Sequence, residues 1–239
     1  MNFAKANLHK QPVGILKWEA GSGVTLSQLE QIPGHVMHPD TFSFPIVFKE
    51  VKGACYSTLI EHFDPALVQQ SIRTAGELAS AGVGFIGASC GFNILMQEDL
   101  ANAIELPVCT SSLLQVPVVL RMFRKGSAVG IVTADKKHLT AAHLLQAGIT
   151  EDMKVFITGI EDVGEFRKVR QDPDAVLDVE KFKREVIETV RILVGQHPSI
   201  RAIVLECTDL PPCSEALRRE LGIPVFDYVT MMNWMHAAT

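Results

Sequence analysis

Two cysteines of this 239-residue chain stand in matching surroundings, and their chemistry is the best starting point. Cys90 follows the apolar run Val83-Gly84-Phe85-Ile86, and Cys207 follows Ala202-Ile203-Val204-Leu205. Downstream, Ile104-Glu105-Leu106-Pro107-Val108 answers to Leu221-Gly222-Ile223-Pro224-Val225, so both the cysteines and the prolines are separated by 117 residues. A thiol placed just after a strand and before a helix meets free backbone N–H groups and the positive end of the helix dipole, which lowers its pKa from about 8.5. A lone nucleophilic thiol usually has a histidine base, and neither local motif contains one. Two thiols on opposite faces of one carbon suit another task. One removes a proton as base while the other, still protonated, delivers one from the far side, which inverts a stereocentre.

The elements that must hold these thiols are legible on either side of them. Asp64-Pro65 reads as a helix start, Val68, Ile72, Ala75 and Ala79 recur at helical spacing, and Gly82 is a stop. The second half repeats the phrase with an Asp178 cap, then Val179, Phe182, Val186, Val190 and Leu193, and a stop at Gly195 and Pro198. Apolar strands alternating with helices imply an α/β fold with parallel sheets. Val13-Gly14-Ile15 also recurs as Val129-Gly130-Ile131, at an offset of 116, which points to an internal duplication. The expectation is two pseudo-symmetric lobes, each a mostly parallel sheet flanked by helices, with an active-site cleft between them. Residues 1–114 plus 212–239 would form the first lobe and residues 115–211 the second. Ligands of open parallel sheets bind beyond the carboxyl ends of the strands, where both cysteines fall.

On Gly87-Ala88-Ser89-Cys90-Gly91-Phe92-Asn93 and Leu205-Glu206-Cys207-Thr208-Asp209-Leu210-Pro211, the chain resembles the aspartate/glutamate/hydantoin racemase superfamily along nearly its whole length. The resemblance implies a cofactor-independent racemase or epimerase acting on a small carboxylate-bearing amino acid or derivative, without pyridoxal phosphate or metal. Cys90 and Cys207 would be its acid and base. Carried over to this chain, Gly91, Asn93 and Thr208 would hold the substrate carboxylate. Asp209 would orient an amino group or tune Cys207, and Ser111, Ser112, Thr133 and Ser22 would face the ligand. Family racemases follow the first cysteine with Asn and Thr, whereas this chain has Gly91 and Phe92. Maleate isomerases and arylmalonate decarboxylases share the scaffold. The rival readings are therefore an isomerase or decarboxylase acting on a dicarboxylate, and a two-lobed protein that only binds its ligand.

Composition narrows the partners. Lys and Arg number 22 against 27 Asp and Glu, a net charge of −5, with no basic run suited to a phosphate backbone, so nucleic acid is not expected. No apolar stretch approaches the roughly 18 residues of a spanning helix, and none resembles a signal peptide, so a cytoplasmic protein without a membrane partner is expected. A homodimer is common on this scaffold. The five cysteines include no C-x-x-C pair, and Cys55, Cys109 and Cys213 read as small buried hydrophobes. His35 and His38, with Asp40, read as a surface loop rather than metal ligands. Gly82 to Gly87 matches G-x-G-x-x-G but runs through a strand, so the glycines read as packing positions and not as a dinucleotide site. Met231 to Met235 reads as a terminal helix against the first lobe.

Overall fold

The computed structural model describes residues 11–19, 27–172 and 174–239. Among them, the strands form two four-stranded parallel sheets. The first contains β1 (Val13–Lys17), β2 (Ile46–Glu50), β3 (Ile86–Ala88) and β4 (Val108–Cys109), in the order β2-β1-β3-β4. The second contains β5 (Ala128–Thr133), β6 (Val155–Gly159), β7 (Ile200–Leu205) and β8 (Val225–Phe226), in the order β6-β5-β7-β8. Each strand of one sheet thus has a counterpart at the same place in the other, and the expected duplication is visible in the topology.

The repeated glycines explain how each sheet receives its helix. Gly14 lies in β1 beneath helix Ala66–Ser80, where an added Cβ would stand 3.1 Å from Leu78 Cδ1. Gly130 in β5 does the same for helix Val179–Gln196, 3.2 Å from Leu193 Cδ2 and 2.6 Å from Ile203 Cδ1. A side chain at either place would overpack the core, at a cost of about 1–3 kcal/mol. The second helix is as read from the sequence: Asp178 accepts from the Lys181 amide at 2.9 Å, and Phe182, Val186, Val190 and Leu193 are buried. In the first helix, Leu67, Ser71, Ala75 and Leu78 are buried while Val68, Ile72 and Ala79 are only half-buried. The face is turned because Leu78 seats over Gly14.

Other boundaries shift too. The strand expected at Val83–Ile86 is β3, Ile86–Ala88, because Val83 and Phe85 are buried in the approach to the sheet. The return to the first lobe comes after residue 226, not at 212, since β8 pairs in parallel with β7. The terminal helix Tyr228–Ala238 does cross back. Tyr228, Met231 and Met232 pack with Val13, Ile15, Phe85 and Cys109, and Tyr228 Oη accepts from the Ala88 amide at 2.5 Å. Gly87 is needed there, because an added Cβ would lie 2.1 Å from that hydroxyl. Among the described residues, no helix is long and apolar enough to cross a membrane.

Candidate active site

β3 and β7 end beside each other, and the segments that follow them meet across the lobes. Thr208, just after Cys207, donates from Oγ1 to the carbonyl of Ser89, just before Cys90, at 2.5 Å. On the other side Gly91, just after Cys90, packs on Glu206, just before Cys207, so tightly that an added Cβ would lie 2.0 Å from Glu206 Oε1. With these flanking residues paired crosswise, Cys90 and Cys207 stand opposite one another. Both are buried and free of disulfides.

The two thiols have different neighbours. Cys207 Sγ donates to Asp209 Oδ2 at 3.4 Å. Asp209 Oδ1 in turn lies 2.9 Å from His35 Nε2, and His35 Nδ1 accepts from the Met37 amide at 3.0 Å. With Nδ1 an acceptor, Nε2 carries the proton and donates to the carboxylate. His35 reaches this point from the first lobe, so the Cys207–Asp209–His35 chain spans the cleft. Cys90 faces the backbone N–H of Phe92 and the indole N–H of Trp18, both of which favour its thiolate.

Burial nevertheless dominates the electrostatics. It pushes both thiols above their ordinary range, Glu206 and Asp209 add to the rise, and the N–H donors offset only part of it. The lowered thiol pKa expected from the helix ends is thereby corrected. Glu206 is fully buried; burial raises its carboxyl to about 7, against the lowering effect of the Thr133 hydroxyl and the Ala134 amide.

The remaining expected site residues divide into three groups. Gly91, Thr208, Asp209 and Thr133 lie around the cysteines, although Thr133 Oγ1 is directed at Glu206 Oε2, 2.7 Å away. Asn93 turns back to the Cys90 carbonyl at 3.0 Å, Ser111 caps the turn Ser112–Gln115 by accepting from the Leu113 amide, and Ser112 donates to the Leu205 carbonyl at 2.6 Å. These three hold the backbone that carries the thiols. Ser22 lies outside the described residues.

Three neighbours of the thiols are not among the expected site residues. Glu206 stood inside a quoted motif, where a carboxylate ending an apolar strand was the available signal. The sequence puts His35 on a surface loop, but it is buried, with a partner 174 residues away that no local pattern reveals. Trp18 carried no signal.

A sequence profile of the Asp/Glu/Hydantoin racemase family matches residues 13–235. The chain belongs to this family. A dimethylsulfoniopropionate lyase of Durusdinium sp. clade D is 28% identical over 85% of the chain and 69% of its own length. Dimethylsulfoniopropionate lyase 6 of Emiliania huxleyi is 33% identical over 86% of the chain, which spans 55% of that relative. Among solved structures, a glycine-to-cysteine variant of arylmalonate decarboxylase in a sulfate-associated form aligns at a TM-score of 0.61 and 17% identity, covering 95% of this chain and 92% of that one. That likeness shows the two-lobed fold.

The relatives correct the expectation of an isomerase that racemises amino acids, because they are named as lyases. The expectation took a facing pair of thiols to require inversion. Removal of a proton next to a carboxylate is also the first step of an elimination, and only a leaving group on the next carbon separates the two outcomes.

Proposed function

We propose that the protein is a lyase that splits dimethylsulfoniopropionate into dimethylsulfide and acrylate. The observation that carries this reading is the buried carboxylate of Asp209, which receives the Cys207 thiol at 3.4 Å beside the facing Cys90. Such a site is complementary to a sulfonium cation. A bound cation also favours the thiolate form, against the burial that raises both thiols.

Cys90 is the base in this scheme. It faces N–H donors that stabilise a thiolate, whereas Cys207 donates its own proton to Asp209 and is held as a thiol. The Cys90 thiolate takes a proton from the carbon next to the carboxylate, and that electron pair forms the carbon–carbon double bond. The bond from the adjacent carbon to sulfur breaks, and its pair leaves on sulfur as neutral dimethylsulfide. The leaving group needs no proton, and the proton on Cys90 returns to solvent. Cys207 lines the opposite face and stays protonated.

The test is to supply dimethylsulfoniopropionate, measure dimethylsulfide in the headspace and follow acrylate by proton NMR. Equal release of the two products is expected, together with its loss in Cys90→Ser. A folded protein that forms neither product overturns the reading.

A further inference from the structure

Most polar atoms of the site have a partner; Trp18 Nε1, beside the Cys90 thiol, and Glu206 Oε1 have none among the described residues. Glu206 Oε2 accepts from Thr133, while Oε1, equally buried, has no hydrogen-bond partner among the described residues. That oxygen occupies the space a side chain at position 91 would need, between the segments carrying the two cysteines. A buried carboxylate left unpaired is costly, and the group avoids the cost by keeping its proton.

We propose that Glu206 works as an uncharged carboxylic acid and that its Oε1–H is the donor that receives the substrate carboxylate. Because the Thr133 hydroxyl occupies Oε2, the acidic proton belongs on Oε1, the oxygen that faces Gly91. A neutral donor admits an anion to a site whose other strong charge is Asp209. It also removes from Cys90 the carboxylate that most disfavours its thiolate. As the α-proton leaves, negative charge moves onto the carboxylate oxygens and the same hydrogen bond strengthens. This inference rests on the lyase reading for the identity of the substrate, though not for its carboxylate.

The groups facing Glu206 are Cys90, Cys207 and Asp209, with His35 behind Asp209 and neutral donors from Thr133 and Ala134. The experiment uses propionate, a carboxylate with no leaving group, as the calorimetric probe of wild type, Glu206→Gln and Glu206→Ala. In wild type the affinity should fall about tenfold per pH unit above about pH 7, where Glu206 ionises. Glu206→Gln keeps a donor beside Thr133 that does not ionise, so its affinity should be flat through that interval. Glu206→Ala should lose roughly tenfold or more at every pH. A fall caused by His35 or the thiols would persist in Glu206→Gln, and that persistence, or a flat wild-type profile, overturns the proposal. Dimethylsulfide release is measured in parallel on the same samples. Propionate binding of the expected form without dimethylsulfide defeats the lyase reading and leaves Glu206 standing. Dimethylsulfide with a flat binding profile defeats Glu206 alone.

Discussion

The two cysteine corners descend from one repeated strand-and-turn unit but have been finished differently. Behind Cys90 stand Gly91, Phe92 and Asn93, a compact turn whose only polar side chain bonds to the Cys90 carbonyl. Behind Cys207 stand Thr208 and Asp209, and the carboxylate continues to His35. Equal corners would suit a reaction run in both directions across a stereocentre. Unequal corners suit one that removes a proton from a single face and never returns it.

Replacing the thiols is the severest test of this difference. Cys90→Ser is expected to lower kcat/KM for dimethylsulfide release by about 10³-fold or more, as for a general base, and Cys207→Ser by about 10-fold to 100-fold, below the effect of losing one. Equal losses would break the proposed inequality. Substrate carrying deuterium on one or the other hydrogen of the carbon next to the carboxylate sharpens it. Acrylate should retain one label completely and lose the other.

The next effect concerns the contact between the corners. Gly91→Ala forces a methyl group toward Glu206 Oε1 and the Glu206 carbonyl, which an added Cβ would approach to 2.0 and 2.5 Å. Chemical denaturation should show a loss of about 1–3 kcal/mol. Glu206→Ala in the same chain should restore part of it, since contacting residues are coupled. Strictly additive losses would mean that the corners do not press on each other.

What was legible in the sequence follows from the same geometry. The duplication, the parallel sheets and the paired thiols could be read because each copy repeats Val-Gly-Ile, an apolar strand, a cysteine and a proline along the chain. Glu206 against Gly91 was hidden, because the exchange of a large side chain for a small one takes place across the lobes. His35 was hidden for a similar reason: its spacing to His38 drew attention, whereas its actual partner is Asp209. The helix face lies one residue from the expected one because Gly14 admits Leu78, and the two-residue strand β8 is too short to be distinguished from the chain's return to the first lobe.

The corners also differ in how they respond to pH. Glu206, raised from 4.5 to about 7, keeps in the folded state a proton that the unfolded chain releases. Its contribution to stability is present below about pH 4.5 and is lost as pH rises through about 7, at most about 3 kcal/mol. His143, packed edge-on to Phe92 at 5.0 Å, is lowered by burial from 6.5 to about 4. The unfolded imidazole therefore takes up its proton first, and stability is lost as pH falls from about 6.5 toward about 4. The two slopes oppose each other between about pH 4.5 and 6.5, so wild-type denaturation midpoints should change little there, and Glu206→Gln should uncover a rise in stability with pH over that interval. A Glu206→Gln profile as flat as that of the wild type would mean that the offsetting proton is held by another group.

The smallest effect separates the buried corners from a thiol outside them. Cys55 was expected to be buried but is partly exposed. Burial is the largest single influence on it and raises its pKa, yet the hydrogen bonds with Ser57 and Thr58, at 3.1 and 3.3 Å, together outweigh that and leave it below its ordinary value. Thiolate is the form that alkylates, so accessibility and pKa both select Cys55 over Cys90 and Cys207. Brief treatment with iodoacetamide near neutral pH should place the first label on Cys55 by peptide mass spectrometry, with dimethylsulfide release unchanged. A first label on Cys90 would mean that the corner holds a standing thiolate without substrate, and the role given to the sulfonium cation in forming it would be lost.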